Sequence, residues 1–281
     1  MKRILLALYR IRGPLYYAAA VILIGNVLVG GNVSGDGARQ TRLILVWVAL
    51  GLAALCLMLT FLLPRTLSAL PERVVSSPVR GRWQALNSPA SAVPSHGVRA
   101  YGQAYAIDLV YEPGDASRPE FGGSMMTPSL EYPAFGQPVF AMIDGTVVRT
   151  SDWRRDHRAR SNSWGFIYMM VEGIAREMGG PGFIVGNHVI IRGDEGVYAV
   201  VAHLRRGSVT VRSGDRVRAG TLIGRCGNSG NSSEPHVHAQ VMDRASFWTA
   251  LGIPVSFAGI RLEGESGPLD ALPVNEQYMD A

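Results

Sequence analysis

The sequence predicts an all-β domain, built as an antiparallel β-sandwich rich in hairpins, behind two N-terminal transmembrane α-helices. A chain of 281 residues can hold one such domain plus additional segments. Hydrophobic residues make up 47% of the chain, and many of them lie before residue 64 in two long runs. From about Trp83 onwards, short apolar runs alternate with Gly, Asn and Asp, which is typical of strands joined by turns.

Residues 1–64 are predicted to form the membrane anchor. The run 15–31 is apolar apart from Asn26, and the run 43–63 contains no charged residue. Because a helix rises about 1.5 Å per residue, the second run reaches across roughly 30 Å of hydrocarbon. A signal peptide is the alternative for the first run, but a second spanning run follows closely. We therefore expect a helical hairpin with a short connection at 32–42.

The charges around this hairpin predict its orientation. The connection holds Arg39 and Arg42 against Asp36. More positive charges flank the outer ends of the two runs, at Lys2, Arg3, Arg10, Arg12, Arg65, Arg73, Arg80 and Arg82. Since positive residues favour the cytoplasmic side, this distribution favours cytoplasmic termini.

The remaining chain divides by composition. Residues 65–93 are rich in Pro, Ser and Arg and are predicted to be a linker. The folded domain is expected at 94–262, and an acidic tail at 263–281. An insertion at 151–182 is rich in Arg and aromatic residues and contains one helical pattern, Tyr168–Met178. Such insertions are often lids or binding loops, although a surface decoration or a membrane-apposed loop fits equally well.

Several short runs are predicted to be strands. Asp144-Gly145 predicts a hairpin turn between two of them. Two similar stretches, 135–145 and 213–224, indicate an internal duplication of the kind found in lipoyl and biotinyl carriers. Those carriers need a lysine, and the only lysine here, Lys2, lies outside the domain. The candidate strands are 105–111, 139–143, 146–150, 188–192, 197–202, 221–225 and 237–242.

Charge and cysteine content limit the class of partner. The net charge of +5 suits anionic polymers, but no nucleic-acid-binding motif is present, so we expect no nucleic-acid partner. Cys56 lies in an apolar run and Cys226 lies far from it, so we predict no disulfide. We expect Cys226 to be a small buried hydrophobe, with a site-lining thiol as the alternative.

The chemistry is predicted to lie around His236 and His238. Alternate side chains of a strand point to the same face, so both imidazoles project side by side if the strand of the run 237–242 extends back to His236. Neutral imidazole is the commonest metal ligand and the commonest general base. One strand can therefore supply a metal ligand and a group that moves protons.

Three further residues fit the same site. His203 directly follows the run 197–202, and His96 lies upstream of Asp108. Asp108 lies in an apolar strand, where a carboxylate is costly unless it is paired or binds a metal. Catalytic zinc has three protein ligands and one open position, at which it acidifies water and polarises a carbonyl. The ligand set His96, Asp108 and His238 fits that count, with His203 and the remaining histidine as base and oxyanion stabiliser.

Residues from about 94 to 245, roughly half of the chain, resemble the lysostaphin-like (LytM-type) zinc metallopeptidases of bacterial cell-wall metabolism. The order and spacing of the matching segments make the resemblance specific. These segments are Gly136-Gln137-Pro138-Val139-Phe140-Ala141, Asp144-Gly145, Gly186-Asn187-His188-Val189-Ile190-Ile191, Val201-Ala202-His203-Leu204, Gly214-Asp215-Arg216-Val217, Gly227-Asn228-Ser229-Gly230 and Pro235-His236-Val237-His238.

The resemblance assigns roles to these residues. The second histidine of the pair, His238, is implied to bind zinc, with Asp108 as the carboxylate ligand. His203 and His236 are implied to be the catalytic pair.

The first histidine ligand departs from the family pattern. It is usually found four residues before the aspartate, and that position is Ala104 here. We therefore assign the third ligand to His96, twelve residues before the aspartate. His188 takes the place of a ring common in the family, and we expect it to face the edge of the site without binding metal.

The resemblance implies a membrane-anchored zinc metalloendopeptidase that hydrolyses peptide bonds in bacterial peptidoglycan, with one Zn²⁺ per chain. Two alternatives stay open: a catalytically silent relative that regulates other wall hydrolases, and a phosphohistidine carrier. A peptidoglycan substrate places the domain on the wall-facing side of the cell membrane, whereas the arginines favour cytoplasmic termini. We rank the wall-facing side first, and no sequence feature specifies an oligomeric state.

Overall fold

The structure is a computed structural model that describes residues 2–29, 35–66, 70–114 and 118–281. The chain divides into two compact units, Met1–Ala69 and Leu70–Ala281.

The first unit is an antiparallel pair of helices. The side-chain amide of Asn26 donates to the carbonyl oxygen of Arg42 at 3.2 Å. The Cys56 thiol lies 3.4 Å from the carbonyl oxygen of Arg12. These two contacts join the end of one helix to the start of the other, as antiparallel packing requires. The elements are α1 (Lys2–Val29), α2 (Asp36–Phe61) and a 3₁₀ turn (Leu63–Thr66).

Both helices are long and apolar enough to cross a membrane, over Ile4–Val29 and Asp36–Phe61. The first candidate span begins earlier than the predicted 15–31, because α1 continues without interruption through Pro14. The second helix takes in part of the predicted connection, and Asp36 in its first turn complements the positive helix end. The rest of that connection, up to residue 34, lies outside the described residues.

The second unit is built mainly of strands. The described strands are β1 (Arg73–Val75), β2 (Arg82–Leu86), β3 (Ile107–Tyr111), β4 (Met126–Thr127), β5 (Pro138–Phe140), β6 (Gly145–Ser151), β7 (Ala159–Arg160), β8 (His188–Gly193), β9 (Tyr198–Ala202), β10 (Arg216–Val217), β11 (Leu222–Arg225), β12 (Val237–Met242), β13 (Gly252–Ile253), β14 (Val255–Leu262), β15 (Pro268–Ala271) and β16 (Tyr278–Asp280). The helices are α3 (Ser163–Met178) and α4 (Pro181–Val185), with 3₁₀ turns at Ala100–Gly102 and Ser129–Glu131.

Twelve strands form one large sheet in the order β1-β14-β16-β2-β3-β12-β9-β8-β6-β10, with β13 beside β12 and β15 beside β14. Neighbouring strands are antiparallel except β1 and β14. Two smaller sheets pair β5 with β11 and β4 with β7. The predicted β-rich, largely antiparallel fold is therefore confirmed.

The two faces of the large sheet have different environments. Val237, Ala239 and Val241 of β12 are buried in the main core, which also holds residues of β5 and β11. Since side chains alternate along a strand, His238 and Gln240 face the opposite side. Asp108 of β3 is on that side too, since its strand neighbours belong to the main core. The polar residues of the predicted site thus share one face.

Residues that we expected in a linker and a tail pair within the large sheet. Trp83 of β2 is 1% exposed, and its ring lies 5.0 Å from that of Tyr111. Met279 of β16 is equally buried and pairs with Trp83. Composition did not predict these strands, because their buried side chains stand beside polar residues such as Arg82, Gln84 and Asp280.

The expected hairpin at Asp144-Gly145 does not form between the strands it separates. Strand β5 pairs with β11, whereas β6 pairs with β8 and β10. Gly145 is required instead by close packing, because a Cβ there would lie 2.3 Å from the carbonyl oxygen of Arg192. Asp144 accepts a hydrogen bond from the Ala219 amide at 2.7 Å.

Candidate active site

Five residues meet at the ends of three neighbouring strands. Strand β12 lies between β3 and β9, and its His238 is opposite Asp108 on one side. His203 directly follows β9, and His236 directly precedes β12. His96 comes from the loop between β2 and β3. The five residues that the sequence singled out therefore lie together.

Asp108 is the centre of the cluster and is only 6% exposed. Its Oδ2 lies 3.0 Å from His96 Nε2 and accepts a hydrogen bond of 2.8 Å from the Asn87 amide. Its Oδ1 lies 2.9 Å from His238 Nδ1 and 3.4 Å from His236 Nε2. Both carboxylate oxygens thus face imidazole nitrogens.

His96, Asp108 and His238 form a candidate metal group, since they offer one ligand atom each within 4.8 Å of one another. Two imidazole nitrogens and one carboxylate oxygen are a donor set that suits zinc. The second nitrogen of each imidazole is also held: His238 Nε2 lies 2.8 Å from Gln240 Oε1, and His96 Nδ1 lies 2.9 Å from Ser95 Oγ. Such outer partners orient metal-binding histidines, so the residues present fit the metal.

His203 and His236 share a second arrangement. Each Nδ1 lies 2.8 Å from a backbone carbonyl oxygen, that of Ser229 for His203 and that of Glu234 for His236. Because a carbonyl only accepts, Nδ1–H is the donor, which leaves Nε2 of both rings to act in the site. The ring centroids lie 4.8 Å apart. His203 also has a φ of 58°, a left-handed conformation at the end of its strand.

The pKa values of these groups respond to burial and to each other. Burial alone would raise the pKa of Asp108, but His96 and His236 lower it well below its usual range. Burial, together with His236 and His238, lowers the pKa of His203 well below its ordinary value. Burial would also lower the pKa of His236, but the charge and hydrogen bond of Asp108 raise it.

The cluster opens into a cavity of about 450 Å³. Its apolar lining includes Phe166 and Met169 of α3 and Ile184 of α4. The helices of the insertion 151–182 therefore form one wall of the cavity beside the histidines.

Sequence reasoning missed several residues of the site. Gln240 could have been found, because it lies two positions after His238 on the same strand face. Its amide donates in turn to the carbonyl oxygen of Tyr101 at 2.9 Å. No sequence pattern linked Asn87 to the site, because it reaches Asp108 from the end of another strand.

Two residues that we kept out of the predicted ligand set lie elsewhere. His188 is buried on β8, with Nδ1 2.8 Å from the Gly186 carbonyl oxygen and its ring packed edge-on against Phe247. Cys226 is buried in the main core, and it is a free cysteine, as is Cys56.

A sheet that presents a His/Asp metal group beside two further histidines defines a candidate metallohydrolase. Residues 129–248, somewhat less than half of the chain, match the family model described as peptidase family M23. This segment contains His203, His236 and His238. It begins after His96 and Asp108, which the structure brings to the same site from outside it.

Solved structures similar to this chain include the catalytic domain of the antimicrobial peptidase lysostaphin from Staphylococcus simulans. It is 19% identical, with a TM-score of 0.32, over 65% of this chain and 87% of that chain. A second structure, of the antimicrobial peptidase lysostaphin from the same organism, is 21% identical, with a TM-score of 0.32, and the match covers 54% of this chain and 45% of that one. The deep-sea M23 metalloprotease pseudoalterin is 15% identical, with a TM-score of 0.37, over 75% of this chain and 92% of that chain. At these low identities and TM-scores, the likeness to the M23 family rests on the match of residues 129–248 alone.

Proposed function

We propose that this protein is a membrane-anchored zinc metalloendopeptidase that hydrolyses peptide bonds in bacterial peptidoglycan. The observation that carries the proposal is the group His96, Asp108 and His238 beside His203 and His236, in a chain that matches the M23 family model over residues 129–248.

In this proposal His96 Nε2, one oxygen of Asp108 and His238 Nδ1 hold one zinc ion per chain. When bound, zinc supplies an acidified water and polarises the scissile carbonyl. His203 and His236 act through Nε2: one, as the neutral imidazole, accepts a proton, and the other, protonated on both ring nitrogens, donates a hydrogen bond to the developing oxyanion. Their Nδ1–H bonds to backbone carbonyls keep both rings turned towards the substrate.

The proposed anchor is the pair of helices α1 and α2. A peptidoglycan substrate requires the proposed catalytic domain on the wall-facing side, whereas the arginines outside the helices favour cytoplasmic termini. Reporter fusions at the C-terminus decide between the two: a fused alkaline phosphatase should be active, whereas an active cytoplasmic reporter would overturn the wall-facing placement.

The direct test uses the purified full chain in detergent micelles. Purified peptidoglycan is incubated with and without a chelator, and zinc is measured in the same preparation by elemental analysis. We expect about one zinc per chain and release of peptides that the chelator stops. The His203→Ala variant is the control for contaminating hydrolases.

The same test separates the alternatives. Bound zinc without cleavage of any wall preparation would favour the catalytically silent, regulatory relative. A protein that binds no zinc would contradict the ligand set itself. The distance of 3.0 Å between His96 Nε2 and Asp108 supports the complete ligand set that an active enzyme needs.

A further inference from the structure

The outer face of α3 is an exposed apolar surface beside the site. Six of its large side chains are more than half exposed, from 51% for Ile167 to 75% for Met178. Globular domains rarely present a contiguous apolar surface without a partner. We call this surface the α3 patch; its residues are Trp164, Ile167, Met170, Val171, Ile174 and Met178.

An ordinary surface helix turns its apolar side chains towards the domain, whereas α3 turns a broad set of them to solvent. At about 100° per residue, the α3 patch and the adjoining Tyr168 cover an arc of about 160° that carries no charged side chain. The charged residues are turned towards the domain. Glu172 binds Arg160 at 2.7 Å and Arg176 at 2.8 Å. Glu177, at the edge of the arc, accepts a hydrogen bond from the Tyr101 hydroxyl.

A basic and aromatic rim adjoins the α3 patch in the chain. Trp153 is 62% exposed, and the guanidinium of Arg154 lies 4.4 Å from its ring centroid and 4.6 Å from that of Phe183. Arg155 and Arg158 are also exposed. Arginines and tryptophan beside a broad apolar helix face are typical of helices that lie in the interface of an anionic membrane.

The width of the arc favours a bilayer over a helical partner. A two-helix seam needs only a narrow apolar stripe flanked by charged positions. The α3 patch is broad, and the acidic residues beside it are engaged within the domain, Glu172 with two arginines and Glu177 with Tyr101. A tether to the bilayer is also short, because the sheet unit begins at Leu70, four positions after the 3₁₀ turn Leu63–Thr66 that follows α2.

We propose that the α3 patch inserts into the interfacial layer of the same bilayer that α1 and α2 cross, with the arginine rim on anionic head groups. The inference rests on the membrane anchoring in the proposed function. Phe166 and Met169 of the same helix line the site cavity, so this docking holds the cavity wall at the membrane surface. Substrate then reaches the site from strands of wall polymer next to the membrane.

The test is site-specific labelling of the full chain reconstituted in vesicles that contain phosphatidylglycerol. A fluorophore is attached at Val171→Cys in the α3 patch, and the matched control is Val274→Cys, whose parent residue is 44% exposed. A third label at Trp47→Cys reports whether α2 is in the bilayer. Both native cysteines are buried and react least with the label.

We expect spin-labelled lipids to quench the Val171 label and aqueous iodide to spare it, with the reverse for Val274. Adding Ile174→Glu, at an exposed position, should restore iodide access at Val171.

Quenching by iodide at both positions would overturn the inference while the Trp47 label still reports anchoring. Protection from both quenchers would show that protein covers the patch, which also overturns it. If the Trp47 label is not reached by lipid, the anchoring in the proposed function fails, and this inference fails with it. Zinc content and peptide release, measured on the same vesicles, report separately on the catalytic part of that proposal.

Discussion

The imidazole of His238 is held on both sides: Nδ1 lies 2.9 Å from Asp108 and Nε2 lies 2.8 Å from Gln240 Oε1, two residues further along β12. Because an amide oxygen can only accept, Nε2 carries the proton and Nδ1 is left to bind metal. The amide nitrogen of Gln240 is fixed in turn by the Tyr101 carbonyl oxygen. Gln240 thus sets the tautomer and the orientation of a proposed ligand.

Replacing Gln240 with Leu should weaken zinc binding by roughly 10- to 100-fold, as for other outer partners of metal-binding histidines. Competition with a chromogenic chelator measures this. The control is Gln240→Glu, which restores an acceptor for His238 and should recover most of the affinity. Equal zinc affinity in the Leu variant and the unmodified protein would show that Gln240 does not position the ligand.

Asn87 donates to Asp108 Oδ2 from a backbone with φ of 47°. Asn87→Gly tolerates that conformation and removes the side chain that carries the amide. We expect a loss of zinc affinity of roughly 10-fold and unchanged folding, because one oriented donor to a ligand carboxylate is removed. Chelator competition and circular dichroism check the two parts. A variant that folds and keeps full affinity would contradict this role.

His203→Ala should keep zinc and lose turnover. His203 lies outside the proposed ligand set, and its removal takes away a group that moves protons or stabilises the oxyanion. A loss of about 100- to 10,000-fold in peptide release is expected. Zinc content measured on the same preparation is the control. An active variant would remove His203 from the catalytic pair, and a variant without zinc would make it a ligand.

His188 should make stability depend on pH. Burial, opposed by its bond to the Gly186 carbonyl and aided by Arg149 and Arg154, lowers the pKa of His188 from 6.5 to about 4. Below the pKa that His188 has in the unfolded chain, its imidazole binds a proton in the unfolded state but stays neutral in the folded state. Stability is therefore lost as the pH falls from 6.5 towards the folded pKa.

The loss should amount to about 3 kcal/mol between about pH 7 and about pH 4, relative to His188→Gln. Urea unfolding of both proteins in micelles, followed by near-ultraviolet circular dichroism, gives the difference. Other titrating groups are common to both proteins and cancel. Parallel pH curves for the two proteins would show that His188 is not held neutral by the fold.

Much of the fold could be predicted because its patterns are local. The runs around Val189, Val201 and Val237 alternate or stay apolar as buried strands do, and each is a strand in the structure. The strands at Trp83 and Met279 were missed, because their partners lie far away in the sequence and polar residues stand beside their buried side chains. The strands on either side of Asp144 belong to different sheets, and this pairing also depends on partners that lie far away in the sequence.

The candidate site divides in the same way. The pair His236 and His238 follows from strand alternation alone. The position of His96 could not be derived from spacing, since a loop of eleven residues separates it from Asp108 and only the fold brings them to 3.0 Å. Strand alternation could also have predicted Gln240 on the same face as the pair, whereas it could not have predicted Asn87, which lies on a different part of the chain.

The composition of the metal group is the central claim, and zinc affinity of the full chain tests it most directly. Chelator competition is measured for the unmodified protein, for His96→Ala and for His188→Gln, which removes a buried histidine outside the group. We expect about one zinc per chain in the first and third proteins and a loss of affinity of at least about 100-fold in His96→Ala. Full zinc affinity in His96→Ala would contradict the account, because the proposed site would then bind metal without its third ligand.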